Sequence, residues 1–524
     1  MLVACAAVNS PTGGEKDTEA PEVVSMEPKN ESTQFDAAQF QIRFNEFIAQ
    51  EDFKKKLIIS PPLGDDLKVV YKGKKLKFIL PDSLATNTTY SFQFGNSIKD
   101  YTEGNTLNNF QYVFSTGEEL DSLKLNGHVL NAASGLAVEN AWVLLYDATE
   151  NPDSLLYNRV AKYVTQTDDQ GNFNFSYLSA KKYHLFGLVD MNGDLNYQPN
   201  NELVGFYSGL VYPDTLLSPA IGMFPSEKSL KFLGVRYSQY GRLDIKFQGN
   251  QKPFEVVIES PEIHYETWNS SMDSSSIWFN PEGIDSVLTY VYSDKGIDTS
   301  ITKVLPFKKR SFQLDKFKES YHDQEKVIIS SVMPFELVDS SKMLLINAKM
   351  DTIPFELQIM EGKGYELKFK KIEEEKYTLQ FAPNCFTSYL DDGNDSLKYD
   401  FFIHSKSVFS SVNLLVDSLY TSPNLLVQLT NNKGVIVQSA KLEEGSSSVN
   451  FNYLSPGEYH VLLIYDDNKN GKWDTGRLIG QKHPELVLRH DSPLKLKANW
   501  VVEINFQASK LNLSESNKKG NFFR

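Results

Sequence analysis

Cysteine is scarce in this 524-residue chain, with only Cys5 and Cys385. Beyond the N-terminal stretch no segment reaches ~18 uninterrupted apolar residues, which excludes a later membrane-spanning helix. Basic charge is also in deficit, at a net charge of −14. No basic excess is left to neutralise phosphates, so nucleic acid is excluded as a partner, and the balance suits a soluble envelope or surface protein. The G-x-S-x-G, H-E-x-x-H, P-loop and dinucleotide fingerprints are all missing. Carboxylate pairs are abundant but fall in turns, so spacing argues for no glycosidase dyad. The expectation is a protein that is not an enzyme.

What is present is a folded composition, 41% hydrophobic and 12% aromatic. Tyr and Phe dominate the aromatics, and Asn, Ser, Asp and Gly punctuate short apolar runs, which favours strands over helices. The length implies several domains rather than one core. The chain also repeats itself. Phe175–Asp190 reads F-S-Y-L-S-A-K-K-Y-H-L-F-G-L-V-D, and Phe451–Asp466 reads F-N-Y-L-S-P-G-E-Y-H-V-L-L-I-Y-D, aligned without a gap. A second pair of echoes joins Leu76-Lys77-Phe78 and Tyr90–Phe94 to Leu367-Lys368-Phe369 and Tyr377–Phe381. A repeat of this kind points to modules.

The expected fold is all-β, a tandem array of about five β-sandwiches in which a two-domain unit is duplicated around an uncopied middle. Residues 1–19 form an N-terminal tether, 20–118 a first sandwich and 119–215 a second. A divergent β-domain covers 216–310, the second copies cover 311–405 and 406–507, and 508–524 is a polar tail. Gln41-Ile42-Arg43-Phe44 alternates at the period of a half-buried strand.

Ile42-Arg43-Phe44-Asn45-Glu46, closing on Phe110–Gly117, resembles the bacterial Ig-like domain first described in S-layer proteins. The preceding Pro11–Thr18 stretch resembles the tether of Bacteroidetes lipoproteins that begin with such a domain. Leu125-Asn126-Gly127-His128-Val129, Ala141–Tyr146, Asp169-Gln170-Gly171-Asn172-Phe173 and Tyr183-His184-Leu185 resemble the carboxypeptidase-regulatory-like, or transthyretin-like, β-sandwich. The Ig-like resemblance implies an extracytoplasmic, non-catalytic module.

Leu2-Val3-Ala4-Cys5 fits a lipobox, with Cys5 as the lipid-attachment residue and the basic and apolar parts of a signal peptide expected upstream. The membrane is thus one expected partner, through the lipid. Ala6-Ala7-Val8-Asn9 lacks the acidic run of a surface-export signal, so the cell surface is favoured over the periplasmic face without that support. Cys385 reads as a small buried hydrophobe.

Two Asp/Asn loops follow the repeated strands. Asp190, Asn192, Asp194 and Asn196 with Glu202, and Asp466, Asn468 and Asn470 with Asp474, place oxygens at alternate positions as in the first half of a calcium loop. Structural Ca2+ is one reading. The other is an Asx-turn loop that satisfies its own backbone, since Asn201 and Arg477 stand where a bidentate acid is needed. Asp-Ser/Thr-apolar triplets resemble Bacteroidetes O-glycan acceptors, which implies sugars on Ser83, Ser122, Ser154, Thr215, Ser286, Thr352, Ser396 and Ser418. Lys54-Lys55-Lys56 and Lys72–Lys77 are basic runs read as solvated strand faces, or as faces toward lipid headgroups or a partner.

The functional expectation is an outer-membrane-anchored scaffold or accessory subunit. It would bind an outer-membrane β-barrel complex of assembly, secretion or transport through sandwich edges and loops, in part by strand addition. The alternative is a surface adhesin or glycan-binding protein that stacks ligand on Tyr265, Trp268 and Trp278 of the uncopied middle.

Overall fold

The computed structural model describes residues 17–49, 57–63, 66–108, 110–199, 201–213, 218–226, 230–249, 253, 255–259, 265–268, 273–293, 296–308, 312–360, 364–390, 392–417, 424–443 and 445–507. The chain is all-β and divides into two compact units. The first holds the chain up to Ser226 and, from far downstream, Trp473–Arg489; the second holds Glu227–Lys472 and His490–Gln507. Among the described residues no helix is long and apolar enough to cross a membrane.

The first unit begins with an Ig-like sandwich. One sheet orders Val23–Glu27, Gln39–Phe44, Lys75–Ile79 and Lys68–Lys72; the other orders Ile58–Ser60, Thr89–Gln93 and Gln111–Ser115. Alternation dictates the faces. Phe40, Ile42 and Phe44 point inward from one strand and Leu76 and Phe78 from its neighbour, while Gln41, Arg43, Lys75 and Lys77 point out. Phe40 is the centre of the core, stacked 4.5 Å from Phe78 and 4.1 Å from Tyr112.

The second sandwich pairs Asn172–Leu178, Leu123–Asn131 and Ala220–Met223 in one sheet, the last strand parallel to its neighbour. Its other sheet orders Tyr163–Gln166, Trp142–Asp147, Tyr183–Val189 and Leu203–Phe206. Gly127 is required here, because a Cβ would meet the Pro219 carbonyl oxygen at 2.3 Å and the Phe173 ring at 2.5 Å. The expected boundary at 215/216 is corrected by this sheet. His128 pairs with Ala220 and Asn131 with Met223, so the module runs on to Ser226.

A larger correction concerns the C-terminal sandwich expected at 406–507. Its Trp473–Arg489 segment belongs to the first unit. There the outer face of the second sheet carries Leu144, Tyr146, Phe186, Val204 and Phe206, which water would otherwise wet. Leu155 and Leu156 of the short Leu155–Asn158 helix cover part of that face, and Leu478, 1% exposed, is buried in the same cluster. Polar bonds fix the segment. The Leu478 amide donates to Ser226 Oγ at 3.1 Å, the Gly480 amide to Asp153 Oδ1 at 2.8 Å, and the Thr475 hydroxyl to the Pro225 carbonyl. His483 lies 4.3 Å from the Phe206 ring centroid and hydrogen-bonds Ser208.

The second unit contains the uncopied middle, a sandwich of Lys231–Gln239, Arg242–Gln248, Ser274–Trp278 and Tyr265–Trp268 over Glu255–Ile258, Ser286–Ser293 and Gly296–Lys303. Leu243, Ile245, Ile277 and Val287 fill its core. A further β module follows, with Val327–Ile329, Gly364–Phe369 and Phe355–Met360 in one sheet. Ser320–Tyr321, Leu397–Ile403, Glu375–Phe381 and Met343–Asn347 form another. The last sandwich orders Ser448–Leu454, Ser410–Leu415 and Val501–Asn505, again with the final strand parallel, beside a sheet containing Ile436–Lys441, Leu425–Asn431 and Gly457–Tyr465. Strand order and sense match those of the Leu123–Met223 module. So does a detail of backbone: Tyr177 and Tyr453 hold the same repeat position and both adopt left-handed φ, 58° and 56°. In the first unit Tyr177 donates to Glu31 of the Ig-like module at 3.0 Å; in the second Tyr453 stacks on His322 of the preceding module at 3.9 Å.

Burial holds the His483 imidazole down to about 4. In the unfolded chain it titrates near 6.5. As pH falls the unfolded state takes the proton first, so the stabilisation is complete above about pH 6.5 and is lost on acidification toward 4, by roughly 3 kcal/mol in all. Denaturant melts of the full chain between pH 7 and 4.5 are expected to show this loss in the transition of the first unit. His483→Gln is expected to flatten that part of the pH dependence; an unchanged slope would remove His483 as its source.

Candidate binding surfaces

The first Asp/Asn loop is closed by its own amides. Asp190 Oδ1 accepts from the Asn192 and Gly193 amides at 3.0 and 2.7 Å, and Oδ2 from Leu195 at 2.8 Å. Asp194 accepts from the Asn196 amide at 2.7 Å, which holds its carboxyl below the usual range, and its other oxygen takes the Asn192 side-chain amide. Glu202, only 3% exposed, clasps the loop by accepting from Met191 and Gln198 at 3.0 and 2.7 Å.

The second loop is built alike. Asp466 is 2% exposed and accepts from the Asn470 and Gly471 amides at 2.9 and 2.8 Å. Lys441 Nζ lies 3.9 Å from Asp466 Oδ2, on the side a cation would approach. Asn468 and Asn470 accept from the Asn470 and Lys472 amides. Asp474 falls in the first unit, where its amide donates to Glu485 at 3.0 Å. Among the described residues no three His, Cys, Asp or Glu side chains are placed to share an ion. The Asp190 and Asp466 carboxylates are bonded in the manner of Asx turns.

Cys385 is buried, donates to the Asp339 carbonyl at 3.4 Å and has its thiol pushed up to about 11 by burial, which makes it unreactive. Cys5 lies outside the described residues, as do Lys54-Lys55-Lys56, Thr215 and Ser418. Of the triplet hydroxyl residues, Ser83, Ser122, Ser154, Ser286, Thr352 and Ser396 are all exposed.

The stacking role expected of Trp278 is overturned. Trp278 is 1% exposed, packed with Phe312 and Leu390 and covered by Arg242 at 5.1 Å. Its strand is flanked by neighbours on both sides, so an aromatic pointing inward is consumed by the core. Tyr265 and Trp268 lie in a strand paired with it, and their side chains are outside the described residues.

An exposed tryptophan occurs elsewhere. Trp500, 44% exposed, lines a cleft of about 490 Å³ with Phe409, Tyr453, Asn452, Asn499 and Gln324. Asn499 turns the chain with φ 62° and donates to the Phe409 carbonyl at 2.8 Å, and the Trp500 carbonyl accepts from Ser411. Asn499-Trp500 at the mouth of a short strand was the sequence signal, hidden because neither residue belongs to a repeated motif.

The sandwich edges differ more sharply than their sequences suggest. Tyr163–Gln166 borders its sheet but is covered: Tyr163 and Val164 are 2% exposed, and the Val164 amide donates to Ser60 Oγ of the neighbouring Ig-like strand at 3.0 Å. Ile58 of that strand packs against the adjoining cluster. Among the described residues no strand pairs with the outer side of Ile436–Lys441, the strand at the equivalent place in the last sandwich. Val435, Ile436 and Val437 run consecutively at 57%, 54% and 42% exposure.

The family model for a bacterial Ig-like domain matches residues 17–116. A comparison with curated proteins finds no match. Among solved structures the chain is similar to the Bacillus anthracis TIE protein at 10% identity, covering 95% of this chain and 76% of that one, with a TM-score of 0.14. It is similar to the S-layer protein rSbsC(31-844) at 14% identity and TM-score 0.14, where 86% of this chain spans 64% of the other. The Bacteroides ovatus mixed-linkage glucan utilization locus protein SGBP-B, solved with a mixed-linkage heptasaccharide, matches at 11% identity over 72% of this chain and 94% of that one, with a TM-score of 0.20. At such scores these likenesses carry nothing about what this chain binds.

Because the loop carboxylates are already taken by amides, chelator and added calcium are both expected to leave the melting temperature of the wild-type chain unchanged. Asp466→Ala, which removes the carboxylate that accepts from the half-buried Gly471 amide and from Asn470, is expected to cost about 1–3 kcal/mol. A chelator-sensitive melt would restore calcium as the loops' ligand.

Proposed function

We propose that this chain is a non-catalytic, extracytoplasmic binding protein, anchored in the outer membrane by a lipid on Cys5, that serves as a scaffold or accessory subunit to another protein. The observation that carries the reading is the bare Ile436–Lys441 edge beside its covered counterpart. An edge strand with unpaired backbone groups and three exposed aliphatics is an aggregation liability unless something pairs with it. In the first unit the Ile58–Ser60 strand covers the equivalent edge; at Ile436–Lys441 a partner's strand would do so, with main-chain bonds supplying affinity and the Val435-Ile436-Val437 side chains supplying contact area. An outer-membrane β-barrel complex is the partner this reading names.

Pull-down from detergent-solubilised membranes tests it. The wild-type chain is expected to bring down a stoichiometric barrel protein, and Ile436→Lys with Val437→Lys, the charge that natural edges use against pairing, is expected to lose it. Recovery of the chain alone, or equal recovery with both forms, would overturn the reading. A second reading, glycan binding, is favoured by the Trp500 cleft, where an exposed indole lies among the Asn452, Asn499 and Gln324 amides. Retention on polysaccharide that Trp500→Ala abolishes would select it.

A further inference from the structure

Basic residues are few on this acidic chain, yet one face gathers them. The outward positions of the first Ig-like sheet form rows fixed by strand register. Arg43, Lys75 and Lys72 lie side by side across three strands. Gln41, Lys77 and Val70 make the next row, and Gln39, Ile79 and Lys68 the third. Neighbouring strands are roughly 4.8 Å apart and successive rows about 6.8 Å, so these cations share a patch of roughly 10 by 14 Å. Among the described residues none of Arg43, Lys68, Lys72, Lys75 and Lys77 forms an ion pair. The only carboxylate at an outward position of the four strands is Glu27, on the far strand, which accepts from the Gln41 side chain at 2.7 Å.

Like charges directly across a strand pair are destabilising. The Arg43–Lys75–Lys72 row has no counter-charge on the sheet, and Lys77 and Lys68 in the next two rows add to it, so an anionic surface outside the fold would relieve the repulsion. The face is a flat pleat with two amide side chains, Gln39 and Gln41, and no aromatic side chain at an outward position, so it offers little to read the shape of a sugar. Four of its five cations are lysines, which act as mobile point charges rather than as bidentate forks for a fixed carboxylate pattern. A fluid layer of anionic headgroups can set a phosphate under each lysine; an acidic protein would need a matching rigid grid.

We propose that this face of the first Ig-like module docks on the surface of an anionic phospholipid membrane. The proposal rests on the membrane-anchored reading above and adds to it an orientation, with the basic sheet toward the headgroups. Attraction of this kind is worth about fivefold in affinity per basic residue and is screened by salt.

The test uses the full chain carrying Cys5→Ala, so that no acyl group contributes, in co-sedimentation with vesicles. Binding to vesicles containing anionic phospholipid, weak or no binding to pure phosphatidylcholine, and loss of binding between 0.05 and 0.5 M salt (roughly one to several Debye-length regimes) are expected. Lys72→Glu/Lys75→Glu/Lys77→Glu is expected to lose at least tenfold, and the corresponding Gln triple an intermediate amount, with no fall in the melting temperature of the Gln triple, which removes the repulsion among Arg43, Lys75 and Lys72. Absence of binding to anionic vesicles, equal binding to neutral ones, or insensitivity to the triple reversal would overturn the proposal. So would salt-sensitive binding to soluble polyaspartate without binding to vesicles, which would assign the face to an acidic macromolecule. Palmitate incorporation at Cys5 in the unaltered chain is read separately, so failure of the anchor and failure of the docking face are distinct results.

Discussion

Every sheet in this chain ends in a strand whose outer amides and carbonyls need partners, and the way each edge is closed determines much of the rest. A β-sandwich, unlike a barrel, cannot remove its edges. In the first unit the problem is met by stacking modules: Ser60 caps the Val164 amide, and Ile58 seals the apolar flank beside it. That contact joins the Ig-like sandwich to the Leu123–Met223 sandwich by the same means that protects the edge. The Tyr177–Glu31 bond reinforces the joint from a residue held in a left-handed conformation. Such a conformation persists for a tyrosine only where surrounding contacts over-determine it.

The same reasoning explains the unexpected place of Trp473–Arg489. A sheet of Trp142–Asp147, Tyr183–Val189 and Leu203–Phe206 is apolar on both faces, with Val143 and Leu185 toward one core and Leu144 and Phe186 toward the other. Strands of that kind need two covers. The Leu155–Asn158 helix is too short to cover the outer face by itself, and Leu478 completes the cluster. A buried amide bond to Ser226 and an exposed one to Asp153 help satisfy the segment's backbone.

Sequence patterning made the all-β class and the modular order readable, because alternation in stretches such as Gln39–Phe44 and Asn172–Leu178 is local. The Asp/Asn loops were also local, and both of their readings were visible in the residues; the hydrogen-bond directions that separate them were not. Trp278 was misread because an aromatic in a strand looks the same whether its face meets solvent or a neighbouring module. The 473–489 segment was misplaced since nothing in Leu478 or His483 marks a contact with Ser208 or Phe206, some 270 residues away in the chain. Ala220–Met223 was assigned to the wrong side of a boundary for a related reason: a parallel strand added to Leu123–Asn131 leaves no hairpin signal.

The three candidate surfaces differ in the physics they would use, and that difference constrains function more than their number does. The Ile436–Lys441 edge offers backbone bonds and aliphatic area, so its binding should be little affected by salt. The Trp500 cleft offers one indole and several amides, enough to orient a small polar ligand but too little area to hold a protein. The Arg43–Lys77 face offers charge alone, so it can orient the chain but cannot by itself specify a partner. A division in which charge sets orientation and an edge selects a protein is what the proposed scaffold requires. Stability follows the same division: the like-charged Arg43–Lys75–Lys72 row weakens a module whose Phe40–Phe78–Tyr112 core is tightly stacked, which is where a sandwich can best tolerate it.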